Sequence, residues 1–212
     1  MKKIVYLSFA LTLIFIVACT KHDTTAPVIT LKGSNPDVVV FGRSATYTDP
    51  GASVIDDFEG SMNYAITAGS VDMFSAGKYS LTYTATDLSD NTSTEIRYIY
   101  VDAASYLSGK FSIQNYIINV YDTTYADTIS ATDTNGITFK HFAAYQKAIV
   151  TGTIAGTTIT IPPQTVLCGS PAQNRTFSGN GTFTSDSIFT VNYTVQDTTT
   201  VISGYGNFVR NH

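Results

Sequence analysis

Several segments of the chain alternate apolar and polar residues with a period of two, the signature of a strand with one buried face. Tyr79, Leu81, Tyr83 and Ala85 alternate with Ser80, Thr82, Thr84 and Thr86, Leu88 to Asn91 supplies a turn, and Ile96 to Val101 is a returning apolar strand. After a short joint at Ala103 to Ser105, Phe111 and Ile113 alternate with polar neighbours in a strand expected to continue toward Tyr121. Ile149 to Ile161 reads as a hairpin about Ala155 and Gly156, ended by Pro162 and Pro163, which have no amide proton to give to a ladder. Phe189, Val191, Tyr193 and Val195 mark a further half-buried strand after a turn at Asp186 and Ser187, and Val201 to Val209 is the last. No long stretch has helical periodicity.

Glycines two apart, Gly179 with Gly181 and Gly204 with Gly206, lie in these late segments, where they let another backbone or a large aromatic approach closely. Residues 106–212 are therefore expected to form a curved antiparallel meander or small barrel. The 14 Tyr, 12 Phe and 15 Gly, with abundant Thr, favour strands and tight turns in the same way.

The start of the chain follows another rule. Lys2 and Lys3 precede an uncharged, mostly apolar run from Ile4 to Ala18, the charged and apolar regions of a secretory signal. The run falls short of the roughly 20 residues that cross a bilayer, and Lys21, His22 and Asp23 follow at once. Its end, Ile16, Val17, Ala18 and Cys19, resembles the bacterial lipobox. That resemblance implies a signal peptide over residues 1–18 and Cys19 as a lipidated N-terminus carrying a diacylglycerol and an N-acyl chain. At about 0.8 kcal/mol per buried methylene, three chains anchor a protein to a membrane effectively permanently. Residues 19–26 then serve as anchor and tether, and a folded domain starts at Pro27.

The strings TAPVITLKGSNP, YTDPGASVIDD and GKYSLTYTATDLSDNTSTEIRYIYV resemble the bacterial surface immunoglobulin-like domain, known from insecticidal crystal toxins and many Bacteroidetes surface proteins. The resemblance spans about residues 24 to 102 and implies a β-sandwich of seven or so strands over 27–102. Residues 106–210 are loosely similar to the lipocalin-like C-terminal domains of Bacteroidetes lipoproteins, which implies a barrel and transfers no ligand residue. The expected fold is all-β: an N-terminal Ig-like β-sandwich followed by an antiparallel β meander or small barrel. Location in the cell envelope, at the outer membrane and on the cell surface, follows from the same likeness, although Asp23 alone represents the acid-rich stretch that usually follows such a cysteine.

Charge narrows the chemistry. Only 13% of residues are charged, with a formal net charge of −4 and no basic run, so nucleic acid as a partner has no electrostatic footprint. With Cys19 lipidated, Cys168 is the one remaining thiol; it forms no internal disulfide and is expected to be a small buried apolar residue. Of three histidines, His22 lies in the tether and His212 is the last residue, which leaves His141 alone in a folded region. Glu is absent beyond residue 102, and Asp133 and Asp186 fall at expected turns, so no catalytic residue, resident metal or cofactor is assigned. Asp56, Asp57 and Glu59 form an acidic cluster able to offer oxygen ligands to Ca²⁺, and Asp87 to Asn91 another; for both the competing reading is carboxylates capping turns.

Asp followed by Ser or Thr and then Thr or an aliphatic recurs, and resembles the O-glycosylation acceptor of Bacteroidetes envelope proteins; the candidate acceptors are Thr24, Thr123, Thr128, Ser187 and Thr198. The expected function is a lipid-anchored envelope protein, a non-catalytic binding or accessory module for a carbohydrate or an envelope protein on an Ig-like spacer. The alternatives are a purely structural spacer and, further off, a hydrolase. A groove lined by Tyr116, Tyr121, Tyr145 or Tyr205 would favour sugar binding, and tyrosines buried in the core would favour the spacer.

Overall fold

The computed structural model describes residues 23–118 and 120–211, so the apolar N-terminal run and Cys19 lie outside the described residues. The first half holds β1 (Val28–Leu31), β2 (Asp37–Val40), β3 (Ala52–Asp56), β4 (Gly60–Met62), β5 (Ala65–Ala68), β6 (Gly77–Thr86) and β7 (Thr92–Asp102). They form two sheets, β1-β3-β4 and β2-β7-β6-β5, with β2 parallel to β7 and the other pairs antiparallel. On β6 the expected alternation holds: Leu81, Tyr83 and Ala85 are buried.

The β7 strand is unlike its apolar sequence. Ile96 and Tyr98 face outward, whereas Arg97 is fully buried at the centre of the sandwich. Its guanidinium donates to the carbonyls of Ser34 and Gly51 at 2.6 and 3.0 Å and to that of Lys32, and its Nε donates to the Tyr83 hydroxyl. Asp49 stands 3.2 Å from that Nε and accepts the Tyr83 hydroxyl proton. A buried cation tolerates this position only because an acid and several carbonyls meet its donors. The apolar cluster around it is small: Ala52, Leu81, Tyr83 and Ile99.

The joint after Asp102 is a short helix, α1 (Ala103–Leu107), and Asp102 caps it by accepting the Ser105 amide at 2.9 Å. Eight strands follow: β8 (Gly109–Ile117), β9 (Val120–Ala131), β10 (Gly136–Phe139), β11 (Val150–Ala155), β12 (Thr158–Cys168), β13 (Gln173–Phe183), β14 (Ile188–Gln196) and β15 (Val201–Arg210). Each pairs antiparallel with the next and β15 closes on β8, which gives an up-and-down barrel without a free edge. Two details depart from the sequence reading. The strand from Phe111 stops at Ile117, because Ile118 turns at a φ of 51°. Pro162 and Pro163 do not end β12; they sit in a bulge between Ile161 and Gln164, where no ladder amide is needed. There the Gln164 side-chain amide replaces the backbone, accepting from the Thr151 amide at 2.9 Å and donating to the Thr151 carbonyl at 2.7 Å.

Aromatic rings fill the barrel. Phe189 and Phe208 stack at 4.8 Å, and Phe111 meets both edge-on at 5.4 and 6.1 Å. From the loop between β10 and β11, Phe142 reaches in to pack on Phe139, Phe177 and Tyr193. Each fully buried Phe contributes about 1.5–3 kcal/mol, with about 0.5–1.5 more per well-placed ring pair. Past the exposed Ile188, the outward residues along the middle of β13 and β14 are polar, namely Thr176, Ser178, Asn180, Thr190, Asn192 and Thr194, unlike the apolar outer band of a membrane-spanning barrel.

One apolar core runs through both halves. Phe41 of the sandwich packs on Tyr106 at 5.0 Å and on Phe183 of the barrel at 5.2 Å, and Ala76 exchanges two backbone hydrogen bonds with Gly156, each 3.0 Å. The Arg210 guanidinium ties β15 to the joint by donating to the Tyr106 and Ser108 carbonyls at 2.8 Å.

Candidate functional site

A lipocalin-like barrel suggests a ligand inside, but the rings just described occupy that space. Phe142 with Ala143 and Ala148 forms a plug, and its chain is bent unusually: Ala143, Ala144 and Lys147 all have positive φ. Asp127, buried on β9, holds the plug's entry. Its Oδ1 accepts the amides of Thr128, Lys140 and His141 at 2.6, 2.9 and 2.9 Å. Burial pushes this carboxyl above its ordinary range, against the pull of those amides and of the nearby His141. What remains at this end is a recess of about 200 Å³ beside Asp122, Tyr145 and Tyr193.

The larger feature is on the outside. Strand register sets Asn180 opposite Asn192, Asn192 opposite Tyr205, Tyr205 opposite Tyr116, and Tyr116 opposite Tyr121, one row across five strands from β13 to β9. A second row, Ser178, Thr194 and Ser203, runs beside it. The Tyr116 and Tyr205 rings stack at 4.7 Å with 8° between planes, and Tyr121 meets Tyr116 edge-on at 5.8 Å. Beside them lies a groove of about 590 Å³ lined by Ser178, Asn180, Asn192, Thr194, Ser203 and Tyr205, and no charged side chain lines it.

The glycine pairs explain why the sheet can curve here. Gly179 and Gly204 flank Tyr193 on its two neighbouring strands, as Gly181 and Gly206 flank Val191. A Cβ on Gly179 would come within 2.4 Å of the Asn192 carbonyl oxygen, and one on Gly204 within 2.4 Å of that of Tyr116 and 2.6 Å of the Tyr193 hydroxyl. Only glycine allows strands and ring to approach so closely. Beneath the groove, Tyr193 donates to Asn115 at 2.7 Å, and Asn115 donates to Asp122 at 3.1 Å. Burial raises the Tyr193 hydroxyl to about 12, so it stays a donor at any physiological pH.

Of the tyrosines singled out from sequence, three meet at this face; Tyr145 instead packs on Phe177 beneath the Arg175 guanidinium. Asn180 and Asn192 were missed, although amides at outward positions of two adjacent strands are a readable signal. The His141 side chain is exposed, and Cys168 is buried. Asp133 caps the β9–β10 turn through the amides of Asn135 and Gly136, and Asp186 stands 3.2 Å from Arg210. Thr24 and Thr198 are exposed, while Thr123, Thr128 and Ser187 are half-buried. Asp87 caps its turn as expected, accepting the amides of Ser89 and Asn91 at 2.9 and 2.8 Å. Asp56 and Asp57 do converge, joined by Asp23, which the sequence reading had left in the tether.

Residues 29–101 match the family described as Bacterial surface protein, Ig-like domain. The first half is thus an Ig-like sandwich of the bacterial surface type, followed by a closed eight-stranded barrel. No curated protein matches the chain. Among solved structures it is similar to the lipoprotein BT2262 from Bacteroides thetaiotaomicron, at 17% identity and a TM-score of 0.36, over 87% of this chain and 100% of that one.

Proposed function

We propose that the protein is a non-catalytic accessory protein of the bacterial cell envelope that binds a neutral glycan on the outer face of its barrel. The carrying observation is the row Asn180, Asn192, Tyr205, Tyr116 and Tyr121 beside an uncharged groove. Sugar rings offer apolar C–H faces to aromatic rings and hydroxyls to groups that both donate and accept. Tyrosine supplies the first surface, and Asn, Ser and Thr supply the second. Stacking on Tyr116 fixes the Tyr205 ring in advance, which reduces the entropy lost on binding.

The signal run and Cys19 support attachment to a membrane by lipid, and the bacterial surface type of the first domain supports an envelope location. Replacing Cys19 by Ser should abolish incorporation of labelled fatty acid and leave the precursor uncleaved; a Ser variant that is still acylated would remove the anchor from this reading. A second reading, a purely structural spacer, is favoured by the core shared between sandwich and barrel, which suits a stiff stalk. Glycan arrays probed with the full chain separate the two. Retention of a defined neutral glycan, lost on Tyr205→Ala, supports binding, and an array without signal supports the spacer.

A further inference from the structure

We infer that the end of the sandwich from which the chain leads back toward Cys19 binds a calcium ion between Asp23, Asp56 and Asp57. Turn capping explains only part of this cluster. Asp56 closes β3, and its Oδ1 accepts the amides of Phe58 and Glu59 at 2.8 and 3.0 Å. That engages one oxygen. The other, Oδ2, is buried without a hydrogen-bond partner, in a residue only 3% exposed. A bare carboxylate oxygen at such depth is costly unless a cation meets it.

The surroundings add acid rather than relief. One carboxylate oxygen from each of Asp23, Asp56 and Asp57 lies within 4.8 Å of the others. Oxygens bound to one Ca²⁺ at about 2.3–2.6 Å stand at most about 5 Å apart, so a single ion can touch all three. Glu59 brings a second orphan: its Oε1 accepts the Leu88 amide at 2.9 Å, while Oε2 is buried without a partner. The donors are all hard carboxylate oxygens, with no His or Cys among them, which selects calcium over zinc or copper. Asp57 is exposed and Asp23 partly so, which leaves room for waters to complete a shell of six to eight oxygens.

Three distant stretches meet here: the tether at Asp23, the β3–β4 turn, and the β6–β7 turn. The last reaches the tether through the Asn91 side-chain amide, which donates to the Asp23 carbonyl at 3.2 Å and to Asp87 at 2.7 Å. A calcium ion would pin the tether to the sandwich and fix the direction in which the domains leave their anchor.

The test is calcium titration of the full chain in detergent, after chelator treatment, by calorimetry and thermal unfolding. One calcium per chain is expected, with Tm raised by about 5 °C or more at saturating calcium and a smaller rise with magnesium. Asp57→Asn, at an exposed position that does not threaten the fold, should weaken calcium binding at least about tenfold, as loss of about 1.4 kcal/mol implies. In calcium-free buffer the same variant should unfold no earlier than the parent, because it relieves like-charge repulsion. Absence of calcium heat and of a Tm shift in the parent would overturn the site. So would a shift that Asp57→Asn and Asp23→Asn both retain in full, since the ion would then sit elsewhere.

Discussion

The sandwich and the barrel are both antiparallel in the main, yet their centres are built from opposite chemistries. The sandwich sets a charged Arg97 beside a small cluster of Ala52, Leu81, Tyr83 and Ile99 with partly buried neighbours such as Ile29 and Leu31, and clamps it with Asp49, Tyr83 and three carbonyls. The barrel has a continuous aromatic interior with a phenylalanine plug. A polar clamp demands one arrangement of loops and strands, because any other leaves a buried charge unmet. An aromatic interior demands space. By filling its own lumen the barrel gives up the usual place for a ligand, and the proposed glycan face lies on the outside instead.

The sharpest way to break that contrast is Arg97→Met. It leaves half-buried Asp49 with only the Tyr83 hydroxyl, takes the guanidinium donors from the Lys32, Ser34 and Gly51 carbonyls, and is expected to cost about 3–5 kcal/mol, read by urea unfolding. A cost under about 1 kcal/mol would mean that apolar packing, as in the barrel, also carries the sandwich. Phe142→Ala should cost about 3 kcal/mol by opening a cavity in the barrel. It should also let a fluorescent hydrophobic dye bind where the parent binds none.

Asp127 is a buried acid of the barrel that holds backbone amides, as Asp56 and Asp87 do in the sandwich. Asp127→Ala should lose about 2 kcal/mol by orphaning amides of Thr128, Lys140 and His141, whereas Asp127→Asn keeps an oxygen for them. Because burial raises the Asp127 carboxyl in the folded state, the folded protein holds that proton more tightly than the unfolded chain. The stability this adds is present below the unfolded value of about 3.9 and is lost as pH rises through the folded value. Asp127→Asn has no such titration, so its stability should gain on the parent's between acid and neutral pH. Parallel curves would place the charge elsewhere. The smallest effect on stability is expected from Tyr205→Ala, under about 1 kcal/mol for a surface residue, although its effect on binding should be the largest of all.

The two halves also differ in how legible they were. In the barrel, alternation located the half-buried faces of β8 and β14, and the paired glycines announced strong curvature. The prolines misled because a bulge is a matter of pairing: nothing local to Pro162 shows that Gln164 will stand in for the ladder. In the sandwich, Ile96 to Val101 read simply as an apolar strand, and burial of Arg97 within it becomes intelligible only once Asp49 and the carbonyls of Lys32, Ser34 and Gly51 gather around it. The candidate face follows the same rule. Tyr116, Tyr121 and Tyr205 were visible as tyrosines, but their meeting depends on β15 closing on β8 in one register, which no local pattern encodes.

The most direct measurement is a calorimetric titration of the full chain with the glycan an array selects, run on the parent, on Tyr116→Ala/Tyr205→Ala, and on Tyr98→Ala. Tyr98 serves as the control because it is an exposed tyrosine on the sandwich, under the Lys78 ammonium at 3.9 Å. The double variant should weaken binding at least about 100-fold, the loss of about 2.8 kcal/mol of contact, while Tyr98→Ala leaves affinity unchanged. Equal affinity in parent and double variant, or a loss confined to Tyr98→Ala, would contradict a binding face on the barrel.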